Sequence, residues 1–153
     1  MRLTAAEISQ ILPHGPPFLF VDEAALQPDA AEGLYHISGR EEFLKGHFKD
    51  RPVFPGSLMI ESLGQLAVLH LLRGGAPQLK GPVDPRRIFF TTCDGVRCHR
   101  LCAPGETLEL KVRLAKVRSP LAFYTGAISV NGKKVASTEQ LALAFAYINN
   151  QPA

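Results

Sequence analysis

Apolar side chains recur along this chain with two different periods. In residues 107–118, Leu108, Leu110, Val112 and Leu114 alternate with Glu109, Lys111 and Arg113, which buries one face of a strand and wets the other. Residues 86–98, 122–130 and 135–147 alternate or run apolar in the same way and are also predicted strands. Asn131-Gly132 marks a hairpin, because both central positions of a type I′ turn take positive φ. Nearer the N-terminus, residues 18–26 and 33–38 read as two further strands around a loop at 27–32.

Residues 57–72 behave differently. They are apolar on nearly every helical face, interrupted by Glu61, Gln65 and His70, as expected of a helix enclosed by protein. Arg73-Gly74-Gly75 supplies its stop. Sixteen residues holding those polar groups fall short of the roughly 20 apolar residues of a membrane span. Thr4-Ala5-Ala6-Glu7 is a capping box opening a short helix that must end before Pro13. Residues 43–56, with Gly46, Pro52, Pro55 and Gly56, read as irregular. The sum is one α+β domain over residues 1–153, an antiparallel sheet of about six strands wrapped around one long central apolar helix.

The composition is that of an ordinary globular domain, with 153 residues, 46% hydrophobic and 20% charged. A chain of this length buries about two thirds of its unfolded surface and needs no disulfide or metal to fold. The net charge of +3 is too mild to argue for nucleic acid. It is unevenly placed, because residues 86–118 alone carry +5. Such a segment suits an acidic partner or is simply a solvated strand face. Cys93, Cys98 and Cys102 are an odd, clustered set, which predicts reduced thiols and a cytoplasmic protein. Their spacing around His99 lacks the C-x2-C knuckle of structural zinc sites, so no metal is expected. Arg2 has no apolar run behind it, and no signal peptide is expected.

Glu61 is the anomalous residue. It is the only charge on the apolar helix, so it must be paired, protonated or set in a cleft. A buried carboxyl kept neutral near pH 7 can donate a proton; a structural carboxylate satisfied by neighbours is the alternative. His47 sits in the irregular segment, where an imidazole held by a rigid scaffold suits proton transfer, although loop histidines are often incidental. The N–H groups of Gly56 and Ser57 open the helix and favour developing negative charge. His14, in a proline-rich turn, reads as structural; His36 lies in a strand, and His70 is placed to bond the last helical carbonyls. No nucleophile elbow or glycine-rich phosphate loop is present.

Three segments resemble the FabZ-type 3-hydroxyacyl-ACP dehydratases. They are Leu12-Pro13-His14-Gly15-Pro16-Pro17-Phe18-Leu19-Phe20-Val21-Asp22, the long run from Gly46-His47-Phe48 through Arg51-Pro52-Val53-Phe54-Pro55-Gly56 to Glu61 and Gln65, and Phe89-Phe90 with Asp94, Val96-Arg97, Arg100 and Pro104-Gly105. The resemblance covers about residues 8–146. It implies a hotdog fold and conversion of (3R)-3-hydroxyacyl chains on acyl carrier protein to trans-2-enoyl products, with no metal or bound cofactor. It implies His47 and Glu61 as the catalytic pair, meeting across the interface of a homodimer or a trimer of dimers. Gly56, Ser57, Phe54, Gln65, Phe89 and Phe90 are the implied substrate-binding positions. Arg97 and Arg100, with Arg86 and Arg87, are the expected carrier-protein docking groups. The related FabA-type dehydratase-isomerases carry Asp at the position of Glu61, so dehydration without isomerisation is expected. The chain departs from the usual motif at Lys49-Asp50, Ser57, Gly64 and Cys98-His99, which leaves substrate choice open between fatty-acid and specialised acyl chains such as polyketide or aryl-polyene types. A hotdog thioesterase or a non-catalytic acyl-binding subunit are the competing classes.

Overall fold

The computed structural model describes residues 1–148. One antiparallel sheet holds eight strands: β1 (Arg2–Leu3), β2 (Glu23–Leu26), β3 (Ala30–His36), β4 (Phe89–Asp94), β5 (Arg97–Cys98), β6 (Thr107–Arg118), β7 (Leu121–Val130) and β8 (Lys133–Ala144). The strand order is β1-β2-β3-β6-β7-β8-β4, with β5 also pairing β8. Two helices complete it, α1 (Ala5–Ile11) and α2 (Gly56–Arg73). The sheet-around-helix reading of the sequence holds. None of the helices among the described residues is long and apolar enough to cross a membrane.

Alternation predicts β6 and β7 because each has one buried and one more open face, and Leu108, Leu110, Val112 and Leu114 are all buried, whereas the apolar run of β8 is covered on both faces at Leu141–Leu143. The hairpin turn takes positive φ at Asn131 and Gly132, as expected. The Thr4–Glu7 capping box forms, with Thr4 Oγ1 accepting from the Glu7 N–H and the Glu7 carboxylate accepting from the Thr4 N–H.

The differences have local causes. The strand expected at 86–98 is two strands, β4 and β5, because the chain turns at Gly95 with φ of +61°, a conformation open to glycine. The strand expected at 18–26 begins only at Glu23, since Phe18 and Phe20 satisfy their backbone groups on the Gln65 side chain instead of a ladder. The strand expected at 33–38 begins at Ala30 and ends at His36. Two-residue β1, too short to show a period, pairs with Ala24 and Ala25. Within the irregular segment, Glu42–Lys45 forms one 3₁₀ turn. The expected last strand, 135–147, is Lys133–Ala144.

Helix α2 runs through the centre. Residues Ser62 to Leu71 are buried throughout, whereas its first turn is open on one side. Two glycines let the sheet approach it: a Cβ on Gly126 would lie 3.0 Å from Leu63, and one on Gly33 would lie 3.2 Å from Leu66. Beside the helix start, Phe20, Tyr35, Phe43 and Phe54 form an aromatic cluster with ring centroids 5.4–6.1 Å apart. This cluster is the floor on which the residue 43–56 segment rests.

Candidate active site

His47 is pinned at two ends of a short loop. Its carbonyl accepts from the Val53 N–H at 2.8 Å, and its ring Nδ1 lies 2.7 Å from the Val53 carbonyl. A carbonyl only accepts, so Nδ1 carries the hydrogen, and in the neutral ring Nε2 holds the lone pair. The ring stacks on Phe48, with centroids 4.2 Å apart. Between the two anchors, Phe48 and Arg51 exchange backbone hydrogen bonds. The next residue, Phe54, donates its N–H to Cys102 and stacks on Tyr35. The loop is thus fixed to the core by its downstream end, and His47 presents a free Nε2.

Glu61 lies in the second turn of α2. It is not enclosed as the helix pattern implies; its side chain is 20% exposed. Gln65 Nε2 donates to Glu61 Oε1 at 3.1 Å, and His14 Nε2 stands 3.6 Å from the same oxygen. Among the described residues no hydrogen bond or ion pair joins His47 to Glu61 in one chain.

The helix start is open to a ligand. Pro55 is the N-cap residue and offers no side-chain acceptor, and its carbonyl takes the N–H groups of Leu58 and Met59. The N–H groups of Gly56 and Ser57 therefore have no partner among the described residues, with the helix dipole behind them. Cys98 of β5 borders this end: its Sγ would lie 3.4 Å from a Cβ on Gly56.

The other expected site residues divide. Ser57 and Phe89 are exposed and Phe90 is half-buried. Phe54 and Gln65 are each 1% exposed. Phe54 belongs to the aromatic floor. Gln65 uses its amide internally, accepting from the Phe20 N–H and donating to the Phe18 carbonyl and to Glu61. Of the arginines, Arg97 and Arg87 are exposed, and Arg86 is exposed beside Asp84 at 3.4 Å. Arg100 is not free. It makes a two-toothed pair with Glu106 at 3.0 and 2.7 Å, and the hydrogen bonds from Arg100 hold the Glu106 carboxyl below its usual range. The +5 segment does not form one basic face either, because Lys111 and Arg113 on β6 pair with Glu32 and Asp29 across the outer sheet.

A model of the FabA-like domain family matches residues 12–139 of the chain. The chain belongs to the FabA-like family. Two FabZ relatives, each named 3-hydroxyacyl-acyl-carrier-protein dehydratase, illustrate the closeness. The one from Enterococcus faecalis is 38% identical over 141 residues, spanning 91% of this chain and 96% of the relative. The one from Thermomicrobium roseum is 39% identical over 141 residues, spanning 91% of each. Among solved structures, the dehydratase heterocomplex ApeI:P of Xenorhabdus doucetiae superposes with a TM-score of 0.74 at 18% identity over 90% of both chains. Zebrafish thioesterase superfamily member 2 superposes at 0.62 with 16% identity, over 94% of this chain and 98% of its own. Likenesses at such identities show the shared hotdog fold.

In this FabA-like chain, one site neighbour escaped the sequence reading. His14 reads as part of a structural turn, yet it stands against Glu61. Forty-seven positions separate the two, and no periodicity links a loop histidine to a helix carboxylate. The three cysteines are free, Cys102 buried with its thiol pushed up by that burial, Cys93 half-buried and Cys98 exposed. Among the described residues no group of three His, Cys, Asp or Glu side chains is arranged to hold a metal ion.

Proposed function

We propose that this chain is a 3-hydroxyacyl-ACP dehydratase, a hydro-lyase acting in fatty-acid or related acyl-chain synthesis. The observation that carries the chemistry is the 2.7 Å hydrogen bond from His47 Nδ1 to the Val53 carbonyl, which leaves Nε2 as a base. In this reading Nε2 of His47 removes a proton from C2 of the acyl chain. Charge developing on the thioester oxygen is met by the unpartnered N–H at Gly56. The carboxyl of Glu61 gives its proton to the C3 hydroxyl, the C3–O bond breaks, and water leaves as the C2–C3 double bond forms. The proton on His47 returns to Glu61 through solvent, restoring both groups.

The two residues act from different chains of a homodimer, alone or in a trimer of dimers. The lack of any His47–Glu61 hydrogen bond or ion pair within one chain supports this, as does the exposure of Phe18, Phe48 and Phe89. Strand β4 is also a sheet edge free to pair. Phe89 and Phe90 border the acyl path, and Ser57 borders the thioester. The substrate is carried by acyl carrier protein, which docks on Arg97 and Arg87 with Arg86. No metal or bound cofactor takes part. The setting is cytoplasmic, in keeping with three free thiols.

The test is incubation with 3-hydroxyacyl-ACP, following enoyl formation by ultraviolet absorbance and thiol release in parallel. Enoyl product without free thiol is expected. Thiol release would assign a thioesterase instead, and neither signal would leave an acyl-binding subunit.

A further inference from the structure

The orientation of the Gln65 amide is settled by its partners. Its Oε1 accepts from the Phe20 N–H at 2.8 Å, so its NH2 must face the other way, donating to the Phe18 carbonyl at 3.2 Å and to Glu61 Oε1 at 3.1 Å. Oε1 of Glu61 is therefore the acceptor oxygen, and a proton on the carboxyl sits on Oε2. His14 Nε2 approaches the same Oε1, at 3.6 Å. The ring of His14 is 26% exposed, and its Nδ1 is buried with no hydrogen-bond partner. A buried nitrogen left unpaired is unfavourable, so the ring is not held there by hydrogen bonding at Nδ1. Its single polar contact is Glu61.

We infer that His14 is a positioning residue for the dehydration: its Nε2–H, together with Gln65, claims Oε1 of Glu61 so that the proton leaves from Oε2. This rests on the reading of Glu61 as the acid. Contacts of this length in unliganded sites tighten when substrate binds. A proton relay from solvent through the ring is a poorer account, because Nδ1 is shut off from water and cannot take up a proton there. Burial holds the imidazole's proton affinity below the ordinary histidine range, against the pull of the Glu61 charge. A neutral donor suits the role, because an imidazolium at this distance would favour the carboxylate and withdraw the proton that the leaving hydroxyl needs.

The experiment measures kcat and KM for 3-hydroxyacyl-ACP in the wild type, His14→Ala and His14→Gln, with Glu61→Gln alongside. His14→Ala should lower kcat about tenfold or more with KM nearly unchanged. His14→Gln, whose neutral NH2 reaches the same oxygen, should recover most of that loss. A purely structural ring would not produce this split or this rescue. Should His14→Ala fail to fold, His14→Asn, a neutral amide too short to reach Oε1, takes its place. An active wild type matched by His14→Ala, or a His14→Gln as slow as His14→Ala, would overturn the inference alone. A wild type that forms no enoyl product would overturn the functional reading and this inference with it.

Discussion

His47 and Glu61 are held by different means, and the means predict what their loss does. His47 hangs on one backbone carbonyl at the end of a loop that the aromatic floor already anchors. Glu61 is half-buried, with a neutral donor from Gln65. His47→Ala and Glu61→Gln should each lower turnover by about 10²–10⁴-fold, the usual contribution of a general acid or base. Both should keep the fold, and Glu61→Gln should melt at or slightly above the wild-type temperature. Retention of more than a tenth of wild-type kcat by either variant would refute its role. Glu61 was visible in the sequence as the lone charge on an apolar helix, and His47 as the histidine of an irregular segment. His14 was not, because its meeting with Glu61 depends on how the loop after α1 crosses the helix.

Within the elements, close packing on α2 sets the tolerances. A Cβ on Gly64 would fall 2.1 Å from Phe90 Cε2 and 2.3 Å from Cζ, so the ring lies directly on the helix backbone. Gly64→Ala must drive Phe90 out or shift β4, an overpacking that costs about 1–3 kcal/mol. A thermal melt should show a loss of several degrees, partly restored by adding Phe90→Leu. Equal stability of Gly64→Ala and wild type would mean that the ring is freely displaced. The far end of α2 carries a second device. His70 is fully buried, with Nε2 2.9 Å from the Gln27 carbonyl and Nδ1 2.9 Å from the Tyr124 hydroxyl, joining the helix to the β2–β3 turn and to β7. It does not bond the last helical carbonyls as the sequence suggests. The Gln27 carbonyl fixes the hydrogen on Nε2, leaving Nδ1 to accept from Tyr124. Burial lowers its proton affinity, with the neighbouring backbone carbonyls opposing. The neutral form belongs to the fold, so its contribution is complete above the unfolded histidine value of about 6.5 and is lost as pH falls through the depressed folded value. Melting temperature should therefore drop on acidification from pH 7.5 to 5. His70→Gln should start lower and fall less steeply; parallel slopes would count against this account.

For the whole molecule, the prediction concerns what covers its open side. Phe18, Phe48 and Phe89 are 47, 53 and 64% exposed, and apolar surface of this kind is normally an interface. Light scattering should give the mass of two or six chains. A monodisperse, active monomer would rule out the shared site. The unpaired basic surface is smaller than the charge run 86–118 suggests, because Arg100, Lys111 and Arg113 are paired within the chain. Reversing Arg97 and Arg87 to Glu should raise KM for acyl-ACP several-fold, more so at low salt, and leave a short pantetheine substrate nearly unaffected. Arg100→Glu should instead lower the melting temperature by breaking the Glu106 pair, without that selectivity. Equal losses on both substrates would make Arg97 and Arg87 structural.

Period and punctuation in the chain were enough for the antiparallel sheet, the enclosed helix, the Asn131-Gly132 hairpin and the capped first helix, because each depends on residues within a few positions of one another. The motif around His47 and Glu61 was legible for the same reason, being one nearly continuous run. Strand ends were not, since Phe18 and Phe20 choose between a ladder and the amide of Gln65, forty-five or more positions away. Nor was the division of the arginines into free and paired, which turns on whether an acidic side chain from another strand or turn arrives within 4 Å. Two groups meet at Glu61 Oε1, Gln65 from four positions along the same helix and His14 from a distant loop. Helix spacing places Gln65, but folding alone brings His14 there, because the interactions that place its loop are made by Phe20 and the aromatic floor and leave no spacing in the sequence.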